Sequence, residues 1–414
     1  MDPTPDNKIA VVVIGGGIGG AHIARDLAEF LDPEKHTLTL ISARETFVYL
    51  PASLRALVNP DFPLSSVFMP YDNLFGNFPG QLIHGTVTLI EENKRAPVLI
   101  NTSSSRSEID DIMYSGNVVY RAYGKQEKEE KLERVRYDVL VVATGSKWEG
   151  FTGFPNTMEE CVRHIEMWRM KFKEASDIVI AGGGAVGLET AGEIKDIYPS
   201  KTVSIVHSDR LPLNDIYPDR FRSVTEHRLR VRGVNFIFND AIQGTPTISS
   251  TSPKVETRSG ICLPCDLLVP ARGGRPSTLA LTFLTPSPSP PRLRQSDIVD
   301  WPEIRQLEKI KWGHKGVVVA NVVRVLRMIG QGRGGEGRGG GGSEKLGVGG
   351  SVEGGGGGGG KRCTLKKYKG VGEVILITNG KSSGSTYCGI FGGLGKGWPL
   401  VLSEIVLPSL FPPL

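Results

Sequence analysis

The residues with the clearest chemical potential in this sequence are two sets of glycines, each spaced as Gly-x-Gly-x-x-Gly. The sets are Gly15, Gly17 and Gly20, and then Gly182, Gly184 and Gly187. In this spacing the first glycine permits a tight turn, the second leaves room for a phosphate, and the third lets a helix pack on a strand. The helix then directs its N-terminal amides and the positive end of its dipole at an anion. The two fingerprints therefore predict two dinucleotide sites.

Each glycine fingerprint stands between an apolar run and a segment with helical spacing. The predicted elements are a strand at 8–14, a helix at 21–31 and a strand at 37–41, and then a strand at 178–180, a helix at 188–197 and a strand at 202–206. This order is the βαβ unit of a parallel, nucleotide-binding sheet. A lone fingerprint is often only a glycine-rich turn, whereas two in matching contexts favour two bound dinucleotides and hydride transfer between them.

The end of the strand after each fingerprint commonly carries an acid that accepts hydrogen bonds from the ribose. Here these ends carry Ser42 and His207, and neither is acidic. Ser42 can still hydrogen-bond a ribose, and His207 with Ser208 and Arg210 is compatible with a 2′-phosphate. Polar residues that end a strand without binding any ribose would show the same pattern in the sequence. The sequence thus leaves NADH and NADPH both open at the second site.

Length and composition limit the class of protein. The 414 residues predict two to three domains, and 39% hydrophobic residues are enough for a sizeable core. A net charge of +5 is too small to indicate a nucleic-acid partner. Five cysteines, an odd number, and the lack of an N-terminal secretory stretch predict free thiols in a reducing, cytoplasmic setting.

The C-terminal residues 398–414 are mostly apolar, but they include Glu404 and four prolines. No uninterrupted apolar run reaches the length that spans a bilayer. Packing of this tail on the protein body is the favoured interpretation. Peripheral association with a mitochondrial or lipid-droplet membrane and a homodimeric state are left open.

Other segments complete the predicted organisation. They are an exposed hairpin or loop over 101–136, a strand over 137–145, a helix over 157–175, a helix over 213–232, a strand over 234–238, a strand over 265–271 and a strand over 371–378. Residues 330–360 hold 19 glycines in 31 positions and predict a flexible linker.

Three segments, one of which contains the second fingerprint, resemble a known family when they are taken together with the first fingerprint. They are FVYLPASLR at 47–55, the strand ending in Ala-Thr-Gly at 143–145, and GGGAVGLETAGE at 182–193. In this order they resemble the FAD-dependent pyridine nucleotide oxidoreductases, in the branch of apoptosis-inducing-factor-like proteins, ferroptosis suppressor protein and type II NADH dehydrogenases. The resemblance covers nearly the whole chain except 279–295 and the glycine linker.

The resemblance implies an α/β fold of two Rossmann-like domains with three-layer ββα architecture, plus a smaller α+β C-terminal segment. The implied boundaries are 1–155 with 272–330 for a discontinuous FAD-binding domain, 156–271 for an NAD(P)H-binding domain, 331–361 for the glycine-rich linker and 362–414 for the C-terminal segment.

The resemblance also implies the cofactors and the residues that hold them. FAD is assigned to Gly15, Gly17, Gly20, Ser42, Arg55, Val87, Thr144, Gly145 and Asp297, and NADH or NADPH to Gly182, Gly184, Gly187 and His207. Glu189 matches the family glutamate near the nicotinamide and is the candidate catalytic residue. Its alternative role is that of a carboxylate complementing the positive end of a helix dipole.

The implied activity is transfer of electrons from NAD(P)H through FAD to a quinone or another small acceptor. Two departures from the family pattern are Arg272, where threonine is usual, and Ser296, where glycine precedes the acid Asp297. These departures favour an alternative, a degenerate non-catalytic flavoprotein that acts in cell-death signalling or as an interaction module.

The stretch between Pro276 and Asp297 is proline-rich and short by roughly two dozen residues for the strand and turn expected there. Either a segment is missing from the gene model, or this is a natural, degenerate flavoprotein. In the second case we expect weakened FAD retention, because losing one strand leaves buried backbone groups to be re-paired. Sequencing the transcript across 279–296 decides between them.

Cys262 and Cys265 form a C-x-x-C pair that could be a redox dithiol. The pair begins a predicted strand, whereas the dithiol of the family's disulfide reductases lies elsewhere in the chain. A structural role is therefore favoured. No cluster of histidines and cysteines has the spacing of metal ligands.

Overall fold

The computed structural model describes residues 8–93, 115–123, 132–247, 253–277, 322–323, 326, 374–378 and 384–388. The strands are β1 (Ile9–Ile14), β2 (His36–Ser42), β3 (Phe47–Val48), β4 (Phe68–Met69), β5 (Gln81–Asn93), β6 (Ser115–Ala122), β7 (Leu132–Tyr137), β8 (Val139–Val142), β9 (Ser146–Lys147), β10 (Asp177–Ala181), β11 (Thr202–Val206), β12 (Val234–Ile237), β13 (Ile242–Thr247), β14 (Lys254–Thr257), β15 (Cys262–Pro264), β16 (Leu267–Pro270), β17 (Arg275–Pro276), β18 (Val374–Thr378) and β19 (Gly384–Cys388). The helices are α1 (Ile18–Phe30), α2 (Leu50–Val58), α3 (Met158–Glu174), α4 (Ala185–Ile197) and α5 (Asp219–Val231).

The first sheet has the strand order β7-β6-β5-β2-β1-β8. Strands β5, β2, β1 and β8 run parallel, with α1 as the crossover from β1 to β2. The long strand β5 pairs parallel with β2 at its start and antiparallel with β6 further on. Within the segment predicted as an exposed hairpin or loop over 101–136, the described residues form the paired antiparallel strands β6 and β7, and the side chains of Val118 and Tyr120 are buried.

The second sheet is wholly parallel and has the strand order β12-β11-β10-β16. A separate antiparallel sheet, β13-β14-β15, lies beside it. Val179 and Val206 of the parallel sheet pack against Ile242 and Val255 of the antiparallel one, and the opposite face of the parallel sheet packs against α4. The three layers are therefore helix, parallel sheet and antiparallel sheet, as predicted.

The first sheet is layered in the same way. Alternate residues of β1 serve opposite faces: Val11 and Val13 pack against α1, whereas Val12 and Ile14 pack against Val118 and the rest of the antiparallel strands. This alternation follows from the period of two in a strand. Two ββα units thus stand in one chain, and the predicted α/β fold class is confirmed.

Helix α2 joins the two units. Its Leu54 and Leu57 belong to the same buried cluster as Ile165 of α3 and Leu188 of α4. A leucine buried as fully as Leu57, which is 0% exposed, contributes roughly 2 kcal/mol. The segment from the first unit is therefore held on the helices of the second.

Several predicted boundaries move in the structure. The helices begin at Ile18 and Ala185 rather than at 21 and 188, because each fingerprint's third glycine lies inside the first helical turn. The helix predicted from residue 213 begins only at Asp219, since Leu213 has a left-handed φ of 63° and Pro218 precedes the helix.

The far C-terminal part of the chain contributes the hairpin β18–β19, whose Ile377 is 1% exposed and lies in the cluster that contains α4. Val322 and Leu326 pack with α1. The glycine linker 331–361, the stretch 279–296 with its neighbour Asp297, and the tail 398–414 lie outside the described residues. The domain boundaries proposed from the sequence stay predictions.

Candidate functional site

The first fingerprint forms a sharp turn between β1 and α1. Gly15 has a φ of 107°, and a Cβ there would collide with the carbonyl oxygen of Ala143. A Cβ on Gly20 would collide with the carbonyl oxygen of Gly15. These two glycines are thus required by the close approach of backbone to backbone.

The middle glycine of the fingerprint, Gly17, has a different role. It is the N-cap of α1 with an ordinary φ of −76°, and a Cβ added to it would meet no atom within 4 Å. Neither packing nor backbone strain therefore requires glycine at this position. Space beside unsatisfied amides at a helix N-terminus suits a phosphate.

The second fingerprint repeats this arrangement. Gly182 has a φ of 127°, and its Cβ would come within 2.6 Å of the carbonyl oxygen of Ala271. A Cβ on Gly187 would collide with the carbonyl oxygen of Gly182, whereas Gly184, the N-cap of α4, again faces open space. Two helices of the described residues thus begin at a turn whose middle glycine has no atom within 4 Å of an added Cβ, which suits a pyrophosphate.

Ser42, the last residue of β2, lies at the first turn and is 2% exposed. Its hydroxyl donates to the carbonyl of Arg44 at 2.8 Å and lies 3.3 Å from the hydroxyl of Tyr71. Tyr71 in turn donates to the carbonyl of Gly16 at 2.6 Å. Ser42 is therefore placed beside the fingerprint as predicted from the sequence, and Tyr71, which sequence reasoning missed, braces the turn.

His207 follows β11 and takes the matching place in the second unit. Its Nδ1 accepts a hydrogen bond from the amide of Gly183 at 3.1 Å, and its Nε2 lies 3.3 Å from the carbonyl of Leu213. This pattern requires the neutral tautomer with its proton on Nε2. The imidazole thus supports the glycine turn, and whether it also contacts a ribose stays a prediction.

Thr144 and Gly145 form the turn after β8, beside the first fingerprint. Thr144 donates its hydroxyl proton to the carbonyl of Ser277 at 2.7 Å, and the amide of Ser277 donates to the carbonyl of Gly145 at 2.9 Å. Gly145 has a φ of 63°. The turn thereby ties the first unit to the chain returning from the second.

Val87 lies in β5 opposite Tyr120, and it packs against the buried cluster between the two strand layers. The exposed Arg272 follows Ala271 at the edge of the second turn. Asp297, predicted to bind FAD, is not among the described residues. Its contact with FAD therefore stays a prediction.

Arg55 of α2 forms a bidentate salt bridge with Glu193 of α4. The Nε atom lies 3.1 and 3.0 Å from the two carboxylate oxygens, and Nη2 lies 2.8 Å from Oε1. Glu193 is 3% exposed, and this hydrogen bonding raises the pKa of Arg55. Arg55, predicted to bind FAD, thus links α2 to the second unit; its contact with a flavin stays a prediction.

Replacing Arg55 by methionine is expected to lower the free energy of unfolding by about 3 kcal/mol, because Glu193 would keep a buried charge without this partner. Urea denaturation measures the loss. Arg134→Met is the control, since its pair with Glu91 is exposed and worth less than about 1 kcal/mol. Equal losses of unfolding free energy in Arg55→Met and Arg134→Met would contradict a stabilising role for the buried Arg55–Glu193 pair.

Glu189 lies in α4, one helical turn before Glu193. Its Oε1 accepts hydrogen bonds from the amide of Thr378 at 2.9 Å and from the Thr378 hydroxyl at 3.1 Å. Burial, and secondly the charge of Glu189, raise the pKa of Tyr49 to about 12. The predicted catalytic carboxylate thus lies where α2, α4 and the C-terminal hairpin meet. Thr378 carries no sequence signal that could have identified it.

Cys262 is exposed, and Cys265 is a buried free thiol. Burial raises the pKa of Cys265 to about 11, which disfavours the reactive thiolate. Cys265 packs with Val179 and Val255 between the two strand layers. This environment favours the structural role over the redox dithiol.

Cys265→Ser is expected to leave the NAD(P)H oxidation implied by the family resemblance unchanged, because the thiol only fills space between β10 and β14. Steady-state absorbance of the reduced nucleotide measures the rate, with Cys262→Ser as the matched exposed variant. A folded Cys265→Ser protein that has lost its activity would show that the thiol takes part in the reaction.

Among the described residues no three His, Cys, Asp or Glu side chains come together as a metal site requires. Within the same part of the chain, no helix is long and apolar enough to cross a membrane.

Two ββα units, each with a helix that begins at a glycine turn open to an added Cβ, are typical of proteins with two dinucleotide sites. The model of the pyridine nucleotide-disulphide oxidoreductase family matches residues 9–285. The chain belongs to this family, and the resemblance drawn from the motifs is confirmed. The family's cofactors are FAD and a pyridine nucleotide, the pair that the resemblance implied.

Individual relatives agree with this assignment. The chain is 35% identical over 361 residues to the FAD-dependent oxidoreductase FVFD30 of Flammulina velutipes, covering 82% of this chain and 93% of the relative. It is 28% identical over 285 residues to apoptosis-inducing factor homolog B of Dictyostelium discoideum, covering 63% of each, so it spans less than two thirds of that protein.

A solved structure supports the fold. The covalent putidaredoxin reductase–putidaredoxin complex aligns with a TM-score of 0.56 at 16% identity, covering 96% of this chain and 87% of that one. At this identity the likeness concerns the fold alone.

Proposed function

We propose that this protein oxidises NADH or NADPH and passes the two electrons through FAD to a quinone or another small acceptor. The observation that carries the proposal is the repeated open turn: Gly17 and Gly184 each leave space at a helix N-terminus that no side chain of the described residues fills. One such turn supports a single nucleotide. Two in one chain support a donor and a resident cofactor.

The residues present fit both groups. Amides at the start of α1 would hold the FAD pyrophosphate, and those at the start of α4 the pyrophosphate of the pyridine nucleotide. When bound, FAD supplies hydride acceptance and electron delivery to the acceptor. The chain itself positions the two groups and shapes the electrostatics around them.

Glu189 and Tyr49 set the electrostatics at the junction of the two units. The Tyr49 hydroxyl is protonated at neutral pH, as a tyrosine normally is, and burial together with the charge of Glu189 raises its pKa further, to about 12. A carboxylate beside a neutral phenol can accept and orient hydrogen bonds without competing for the phenol's proton. Glu189 is therefore proposed as the residue that orients the pyridine nucleotide.

The quinone is proposed from the resemblance to the branch that includes type II NADH dehydrogenases. An apolar acceptor leaves no motif in a sequence. The site geometry therefore supports the donor and the cofactor, and the resemblance to the family supports the acceptor class.

The test is a turnover assay on the purified chain supplied with FAD. NADH and NADPH are added separately with a water-soluble quinone analogue, and loss of nucleotide absorbance is followed. We expect quinone-dependent oxidation of at least one nucleotide, and none when FAD is omitted from the apoprotein. A flavin-loaded protein that oxidises neither nucleotide would favour the non-catalytic interaction module instead.

A further inference from the structure

The carboxylate of Glu189 is held by a residue 189 positions later in the chain. Thr378, the last residue of β18, directs two donors at the same oxygen: its amide lies 2.9 Å and its hydroxyl 3.1 Å from Oε1. Hydrogen bonds to an ionised acceptor are roughly twice as strong as neutral ones. Two of them on one oxygen fix the orientation of a side chain that otherwise has several rotamers.

Thr378 is itself held in place. The neighbouring Ile377 is 1% exposed and packs in the cluster that includes Leu188, the residue before Glu189. The hairpin pairs Thr378 with Gly384. The two donors thus approach the carboxylate from a strand that is anchored on the same helix.

We propose that Thr378 is a positioning residue for Glu189, and that the C-terminal hairpin thereby completes the site of nucleotide oxidation. The inference rests on the proposed function, because it assigns Glu189 to the pyridine nucleotide. It extends that function by giving the C-terminal segment a defined role, since the end of its strand β18 sets the direction of one carboxylate.

The first test compares Thr378→Val, which removes the hydroxyl but keeps the amide, with Thr378→Ser, which restores a hydroxyl. Anaerobic rapid mixing with NADH or NADPH gives the limiting rate of flavin reduction and the nucleotide dissociation constant separately. We expect the valine variant to lose about tenfold in limiting rate, the order expected when a catalytic group is misplaced by a fraction of an ångström.

We expect the dissociation constant and the FAD content of Thr378→Val to stay unchanged, and Thr378→Ser to recover the rate. Thr202→Val, the same change at an exposed position of β11, is the control and should behave as the wild type. In a Glu189→Ala background, which removes the accepting oxygen, Thr378→Val should have no further effect on the limiting rate, since the two residues act through one contact.

The second test examines the contact without any cofactor. Hydrogen exchange of the Thr378 amide should become faster in the Glu189→Ala apoprotein, whereas other amides of β18 should stay protected. Unchanged exchange, or an unchanged rate in Thr378→Val, overturns the inference while leaving the proposed function standing. A wild-type flavin that neither nucleotide reduces overturns both.

Discussion

Replacing Gly17 by valine is expected to abolish tight FAD binding while the protein remains folded. The backbone at Gly17 has a φ of −76°, and an added Cβ meets nothing within 4 Å, so the substitution adds no backbone strain and no Cβ clash, and the poorer N-cap costs about 1 kcal/mol. The isopropyl group would occupy the space left for the pyrophosphate at the start of α1. Losing two charge-assisted hydrogen bonds of about 1.5 kcal/mol each corresponds to about a hundredfold weaker binding.

Quenching of flavin fluorescence during titration of the apoprotein measures this dissociation constant, and circular dichroism reports the fold. Gly20→Val is the contrasting variant. Its side chain would collide with the carbonyl of Gly15, so it is expected to destabilise the protein itself. A Gly17→Val protein that binds FAD as tightly as the wild type would place the flavin elsewhere.

Valine at Gly184 is expected to separate the two nucleotide sites. Gly184 has a φ of −75° and the same open surroundings at the start of α4. The variant should keep its FAD affinity, whereas its affinity for NADH or NADPH should fall about a hundredfold by the same loss of hydrogen bonds. Calorimetric titration with the oxidised nucleotides measures this without any turnover.

The two variants control each other, because the same side chain is added at the same position of each fingerprint. Gly17→Val should lower mainly the affinity for FAD. Gly184→Val should lower only the affinity for the pyridine nucleotide. If Gly17→Val weakened binding of the pyridine nucleotide and Gly184→Val weakened binding of FAD, the first fingerprint would be assigned to the pyridine nucleotide and the second to FAD. Loss of both ligands in both variants would indicate a general structural defect instead.

Local patterns in the sequence predict much of the fold. Glycine spacing and the change from a strand period to a helix period locate β1, α1 and β2, and again β10, α4 and β11. Gly15 and Gly182 indeed adopt left-handed φ values where the turns were expected. These features depend on neighbours a few residues apart, which the sequence displays directly.

The contacts that join the units could not be predicted in this way. Arg55 meets Glu193 across 138 positions, and Thr378 meets Glu189 across 189. Periodicity says which face of α4 is buried, but it does not name the partner of a polar side chain. Tyr71 was missed for the same reason, since it braces Gly16 from a loop without regular spacing.

The start of α5 shows a different limit. Apolar and basic residues over 213–232 have helical spacing, yet the helix begins only at Asp219. Arg222 is 2% exposed and donates to the carbonyls of Leu211, Pro212 and Leu213. Tertiary hydrogen bonding thus holds the segment before the helix in a turn that propensity alone does not reveal.

We propose that two dinucleotides meet in this chain and that electrons pass between them. The most direct measurement is the visible spectrum of the FAD-loaded protein, mixed without oxygen with NADH and, separately, with NADPH. We predict that at least one nucleotide bleaches the flavin absorbance, and that Gly184→Val prevents this at nucleotide concentrations saturating for the wild type. Flavin that stays bound and oxidised with both nucleotides would contradict this claim.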